Sequence, residues 1–123
     1  MSHHVLVVEP DESIRALLTA ILRRHHYEPV VVGSAAEAQV ALSGGAPFCL
    51  AIVDCRPGEA CAINDIAAAR PDLPIAITAT IPSQLRAMPS SIVQVLHKPY
   101  DIAMIDALAH AHCSKRDLHG VGN

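Results

Sequence analysis

The segment Leu50-Ala51-Ile52-Val53-Asp54 decides the fold, because four aliphatic residues run without interruption into a carboxylate. Such a run predicts a strand that is buried on both faces, as the strands of parallel sheets are. Val5-Leu6-Val7-Val8-Glu9 has the same form, and further aliphatic runs occur at residues 30–32, 75–77 and, with Gln94 inside it, 92–96. The sequence therefore predicts five strands in a sheet that is covered on both sides.

Amphipathic segments lie between these runs and predict helices. Ser34 and Glu37 match a capping box, and Gly44-Gly45 is a stop signal for the helix that this box opens. Helices are also predicted at about residues 60–70 and after residue 101. Asp11 is a suitable N-cap for the first helix, whose predicted buried stripe is Ile14, Leu17, Leu18, Ile21 and Leu22.

Strands that alternate with helices predict right-handed crossovers and a parallel sheet with helices on both faces, which is a doubly wound α/β fold. The length of 123 residues and the mass of 13.0 kDa suit one domain. Helical periodicity is lost from Cys113 onward. We therefore predict one domain over residues 1–112 and a flexible C-terminal tail over residues 113–123.

The composition excludes several classes of protein. A net charge of −3 and only two Tyr, one Phe and no Trp argue against direct binding of nucleic acid. Mean hydropathy is +0.32, but no apolar run approaches the ~20 residues of a membrane-spanning helix. The N-terminus has no basic region ahead of an apolar stretch, so no signal peptide is visible. We expect a cytoplasmic protein that binds neither nucleic acid nor membranes.

The cysteines and histidines give no metal motif. Cys49, Cys55, Cys61 and Cys113 lack a Cys-x-x-Cys spacing, and without an export signal we expect reduced thiols. A buried thiol of this kind behaves as a small apolar residue. The eight histidines form short groups such as His25-His26, which supply too few ligands for a closed zinc site.

Four polar residues come just after predicted strands: Glu9, Asp54, Thr78 and Lys98. The carboxyl ends of parallel strands meet at one edge of the sheet, where ligands of open α/β folds bind. Two carboxylates, a hydroxyl and an ammonium group suit a phosphoryl group with Mg2+, which prefers carboxylate, water and phosphate oxygens. A carboxylate can also accept a phosphoryl group as a nucleophile.

These segments, together with Pro57-Gly58 and His97-Lys98-Pro99-Tyr100, resemble the receiver domain of bacterial response regulators. This family consists of CheY-like modules of two-component signalling with a flavodoxin-like (βα)5 fold. The resemblance implies a five-stranded parallel sheet in the order 2-1-3-4-5. It covers residues 5–112 and rests on the order and spacing of the motifs together.

The resemblance also implies roles for individual residues. Asp54 corresponds to the phosphoacceptor, and Glu9 corresponds to the first acid of the pair that holds Mg2+. Arg56 would offer its backbone carbonyl to the metal. Thr78 corresponds to the switch hydroxyl, with Thr80 as the alternative if the alignment shifts. Lys98 corresponds to the lysine that binds the phosphoryl oxygens.

Three positions depart from the family pattern. The second acid of the metal-binding pair is replaced by Pro10, and Asp11 is a further candidate ligand through a water molecule. The loop from Asp54 to Pro57 is one residue shorter than usual. Val95 occupies the position of the switch aromatic. Metal affinity is expected to be reduced and the output step altered.

The resulting prediction is a phosphorelay receiver that is not an enzyme, beyond autophosphatase activity at most. Its partners would be a histidine kinase or phosphotransfer protein and a downstream protein target, with a homodimer as a further candidate. The first alternative is a pseudo-receiver that binds partners without phosphorylation. The second is a phosphatase with an aspartyl nucleophile, in which Arg56 occupies the place of the expected second aspartate.

Overall fold

The strands and helices are described from a computed structural model, which covers residues 4–45, 47–54, 63–79, 92–97 and 102–114. The predicted sites at Arg56, Thr80 and Lys98 lie outside these ranges, as do the predicted start of the third helix and the segment 80–91. Within them the elements follow the predicted alternation of strand and helix. Among the described helices, none combines the length and the apolar content needed to cross a membrane.

The strands form a parallel sheet. They are β1 (His4–Val8), β2 (Glu28–Val32), β3 (Phe48–Asp54), β4 (Ile75–Ala79) and β5 (Ile92–His97). The first strand pairs with β2 on one side and β3 on the other, and β3 pairs with β4. At the edge, β5 pairs with β4, also in parallel. The predicted α/β class with a parallel sheet is confirmed.

Helices cover both faces of the sheet. The α-helices are α1 (Glu12–Arg24), α2 (Ala35–Ser43), α3 (Ile63–Ala69) and α4 (Ile102–Ala109), and a π-helix (His110–Ser114) continues α4. One buried cluster joins α1, α4 and the π-helix to the sheet, and we call it core A. The other joins α2 and α3 to the opposite face, and we call it core B. Alternate residues of β3 supply the two cores, with Ile52 in core A and Val53 in core B.

The helix ends form where the sequence predicts them. Asp11 is the N-cap of α1, and its Oδ1 accepts hydrogen bonds from the backbone N–H groups of Ser13 and Ile14. The Ser34 hydroxyl caps α2 by accepting from the backbone N–H of Glu37. These side chains satisfy backbone donors that have no partner within the helix. Both predicted caps are confirmed.

One part of the predicted stripe on α1 is wrong. Leu18, Ile21 and Leu22 are buried as predicted, but Leu17 is 50% exposed. Ile21 and Leu22 lie on opposite sides of Leu18, so the centre of the buried arc is close to Leu18. A helix turns by about 100° per residue, so Leu17 falls at the margin of this arc and faces solvent.

The expectation of reduced thiols is also wrong for two of the cysteines. Cys49 and Cys113 are buried, as expected, but they form a disulfide with a Cα–Cα distance of 5.2 Å. Cys113, which we expected to begin the flexible tail, therefore lies within the folded domain as part of the π-helix. Cys55 and Cys61 lie outside the described residues. The remainder of the predicted tail, residues 115–123, also lies outside them.

Candidate functional site

The candidate site is at the carboxyl edge of the sheet, where Asp54 ends β3. Asp54 is half-buried and pairs in register with Thr78 of β4. The Thr78 hydroxyl donates to Oδ1 of Asp54 over 3.4 Å, which is long for a hydrogen bond between oxygens. Thr78 itself is only 1% exposed. The structure thus brings together two of the predicted site residues, with the hydroxyl directed at the carboxylate.

Glu9 lies in the same row of residues, directly after β1. Val8 and Val53 are partners in the ladder between β1 and β3, so Glu9 and Asp54 both follow paired residues at the edge. The Glu9 side chain is 1% exposed, and its Oε2 accepts a hydrogen bond from the backbone N–H of Asp11 over 3.0 Å. A buried carboxylate needs such partners because it has lost its hydration. The loop after β1 supplies one of them.

Asp11 has a structural task in this loop. Its Oδ1 caps α1, and its backbone N–H holds Glu9. The same loop therefore starts the helix and orients the buried acid. The predicted water-mediated contact of Asp11 with a metal would fall to its other carboxylate oxygen, and this contact remains a prediction.

Arg15 fixes the loop from the other side, a role that the sequence reasoning missed. Its Nη1 donates to the backbone carbonyls of Glu9 and Pro10, both over 2.9 Å. The guanidinium group also packs on Gly33 after β2, where an added Cβ would lie 3.0 Å from Nη1. The only sequence signal is an arginine one turn into a helix whose preceding loop contains proline. That signal is too common to be recognised alone.

The described residues supply part of a site for Mg2+. Glu9 and Asp54 offer the carboxylate oxygens that this ion prefers. Within the ranges that the structure covers, no group of three or more His, Cys, Asp or Glu side chains could hold a metal ion. The third predicted ligand is the carbonyl of Arg56, which lies outside those ranges. The donor chemistry fits Mg2+, with water and phosphoryl oxygens needed to complete its coordination.

The described arrangement can support phosphoryl transfer. Asp54 is partly exposed, while its neighbours Glu9 and Thr78 are almost completely buried. A hydroxyl held beside such a carboxylate could donate to a phosphoryl oxygen if that group were attached. The site therefore combines a partly exposed carboxylate with buried polar groups beside it.

Comparisons with known proteins bear on the fold. No protein-family model matches the chain, and no curated protein matches it in sequence. A CheY-like receiver domain from Methylobacillus flagellatus has a TM-score of 0.76 at 15% identity, over 90% of this chain and 98% of that one. A receiver domain protein from Clostridium thermocellum has a TM-score of 0.80 at 15% identity, over 94% and 98%.

A longer protein contains a similar domain. NtrX from Brucella abortus has a TM-score of 0.80 at 21% identity over 97% of this chain, which spans only 29% of that protein. At these identities the likeness establishes the fold and no more. The chain has the fold of the response-regulator receiver domains.

Proposed function

We propose that the protein is a phosphorelay receiver that accepts a phosphoryl group on Asp54. The donor would be the phosphohistidine of a histidine kinase or of a phosphotransfer protein in the cytoplasm. In this proposal the domain is a flavodoxin-like (βα)5 unit with strand order 2-1-3-4-5, and it signals by contact with a target protein. It is a signalling domain rather than an enzyme.

The observation that carries the proposal is the pairing of Asp54 with Thr78 at the carboxyl edge. The Thr78 hydroxyl lies 3.4 Å from Oδ1 of Asp54, with Glu9 in the same row. An ordinary end of a strand would not require a buried hydroxyl and a buried acid beside a half-buried carboxylate. Ligand sites of open α/β sheets occur at this edge.

The transfer proceeds by attack of an Asp54 carboxylate oxygen on the phosphorus atom. The new P–O bond forms as the P–N bond of the donor breaks, and the departing imidazole takes up a proton. The Thr78 hydroxyl and the Lys98 ammonium group would bind the phosphoryl oxygens. Mg2+, held by Glu9, Asp54 and the Arg56 carbonyl, would supply positive charge against the oxygens of the transferred group.

Phosphorylation in vitro tests the proposal. The protein is incubated with acetyl phosphate, with and without saturating Mg2+, and its intact mass is measured. We expect the addition of one phosphoryl group that requires Mg2+ and is lost in Asp54→Asn. Thr78→Ser should retain the reaction, and Thr78→Val should slow it because the hydroxyl is absent. The proposal would be refuted if neither acetyl phosphate nor a cognate kinase labelled the wild type.

A second candidate function is favoured by the loop after β1. Pro10 is exposed and has no side chain to offer a metal, and its carbonyl is held by Arg15. A pseudo-receiver that binds a protein target without phosphorylation would have these properties. In that case the same target would bind the wild type and Asp54→Asn with equal affinity, whether or not acetyl phosphate and Mg2+ were present.

A further inference from the structure

A β-bulge places Cys49 on the face of the sheet that α4 covers. In the ladder between β1 and β3, His4 pairs with Phe48 but Val5 pairs with Leu50, so Cys49 is an extra residue. Cys49 and Leu50 consequently both belong to core A, while Phe48 belongs to core B. Side chains alternate along a regular strand, and without the bulge Cys49 would face core B. The irregularity is what allows Cys49 to reach Cys113.

A second irregularity lies at the other cysteine. Cys113 is in the π-helix His110–Ser114 that continues α4, and it is 1% exposed in core A. Short π-helical turns are rare and are frequently found at functional sites. Both cysteines of the pair are thus carried by departures from regular backbone geometry. Ordinary core packing does not require this, since a small apolar residue would fill either position.

The surroundings suit a thiol as well as a disulfide. The Cys49 Sγ lies 3.4 Å from the backbone carbonyl oxygen of His4. A protonated thiol at this position has an acceptor for its weak S–H donor, so the reduced form leaves no unpaired polar group there. Both side chains are otherwise surrounded by the apolar residues of core A. The site can therefore hold the pair in either oxidation state.

We propose that Cys49 and Cys113 form a reversible thiol–disulfide site that clasps the end of α4 to β3. The compartment assumed here rests on the proposed function, since a phosphorelay receiver acts in the cytoplasm. Disulfides in that compartment are usually transient or redox-sensing rather than permanent. The clasp joins residues that are 64 positions apart. Oxidation would hold the C-terminal π-helix on the sheet, and reduction would let it open locally more often.

The oxidant is a low-molecular-weight disulfide such as oxidised glutathione. The thiolate of one cysteine attacks a sulfur of the oxidant and releases one thiol, leaving a mixed disulfide on the protein. The second cysteine thiolate then attacks the protein sulfur of that mixed disulfide and releases the second thiol. Two protein thiols are oxidised and one external disulfide is reduced to two thiols, so electrons and protons balance.

The burial of the pair determines how reduction proceeds. Cys49 is 6% exposed and Cys113 is 1% exposed, so an external thiolate cannot reach either sulfur in the closed structure. The π-helix must first open locally, as the terminal elements of domains do more readily than central strands. The rate of thiol–disulfide exchange with an external thiol therefore reports on the opening of this segment. The same opening is what oxidation suppresses.

Thiol trapping and hydrogen exchange test the clasp on the whole chain. The protein is equilibrated in glutathione buffers of increasing reducing strength, alkylated, and digested for mass spectrometry. We expect a reversible two-electron transition of the Cys49–Cys113 pair. Reduction should raise the hydrogen-exchange rate of amides in residues 102–114 roughly tenfold or more.

Matched variants separate the clasp from general effects of reduction. In every glutathione buffer, Cys113→Ala should have the hydrogen-exchange rates of the reduced wild type. Cys61→Ser should show the same redox transition as the wild type. A disulfide that dithiothreitol fails to reduce even after equilibration with the native protein would overturn the reversibility. The clasp would be overturned if the pair stayed reduced in oxidised glutathione. It would also be overturned if hydrogen exchange in residues 102–114 were the same in the oxidised and reduced protein. None of these measurements involves phosphorylation, so a failure of the proposed clasp can be distinguished from a failure of the proposed function.

Discussion

At the scale of single residues, the carboxyl edge holds polar groups that are out of water. Glu9 and Thr78 are each 1% exposed. Burying such groups costs free energy unless hydrogen bonds replace the lost hydration. The backbone N–H of Asp11 and the carboxylate of Asp54 provide those bonds. The edge is therefore preorganised by its neighbours, and Arg15 fixes the loop that makes this possible.

The contact between Arg15 and Gly33 gives a prediction about stability. Gly33→Ala should lower the free energy of unfolding by about 1 kcal/mol, because the new methyl group lies 3.0 Å from Nη1 of Arg15. In an Arg15→Ala background the same change should cost little, since the obstructing atom is absent. Urea denaturation of the two single variants and the double variant measures this coupling.

A second glycine provides the control for the Gly33 and Arg15 variants. An added Cβ at Gly44 would meet only the carbonyl oxygen of Ala41, at 3.4 Å, and Gly44 has a helical φ of −72°. Gly44→Ala should therefore leave the stability unchanged or raise it slightly. If Gly33→Ala costs the same with and without Arg15, the guanidinium group is not held in place as described.

At the scale of secondary-structure elements, local signals predicted most of the fold. The caps at Asp11 and Ser34 depend on residues three positions apart, and such patterns can be seen in the sequence. Strand ends next to Glu9, Asp54 and Thr78 were predictable because aliphatic runs stop there. The bulge at Cys49 was not, since it depends on the pairing of β3 with β1. The disulfide depends on that bulge, so neither the bulge nor the disulfide could be predicted from the sequence.

The cap of α1 gives a prediction that separates two roles of Asp11. Asp11→Ala should lower the free energy of unfolding by about 1 kcal/mol, and Asp11→Asn should change it by much less because the amide oxygen still caps. If capping is the whole role, Asp11→Asn should also keep the Mg2+ dependence of phosphorylation unchanged. A large increase in the Mg2+ concentration needed by Asp11→Asn would instead assign Asp11 to the metal.

At the scale of the whole molecule, the crosslink between β3 and the π-helix is a long-range constraint. It joins residues 64 positions apart, and in the chain-entropy account such a link stabilises the fold by about 4 kcal/mol. We expect the urea midpoint of the oxidised protein to exceed that of the reduced protein accordingly. Reductant should not change the midpoint of Cys113→Ala. Equal midpoints for the oxidised and reduced wild type would contradict this expectation.

The same crosslink divides the chain into a covalent ring and two open ends. Asp54 and Thr78 lie on the ring, whereas Glu9 lies on the open N-terminal arm, which reaches the site by the pairing of β1 with β3. Cleavage of one peptide bond anywhere in the ring would leave a single molecule on a non-reducing gel and two fragments after reduction. Asp54 and Thr78 thus lie in one covalently closed loop, and Glu9, outside that loop, is brought beside them by the pairing of the strands.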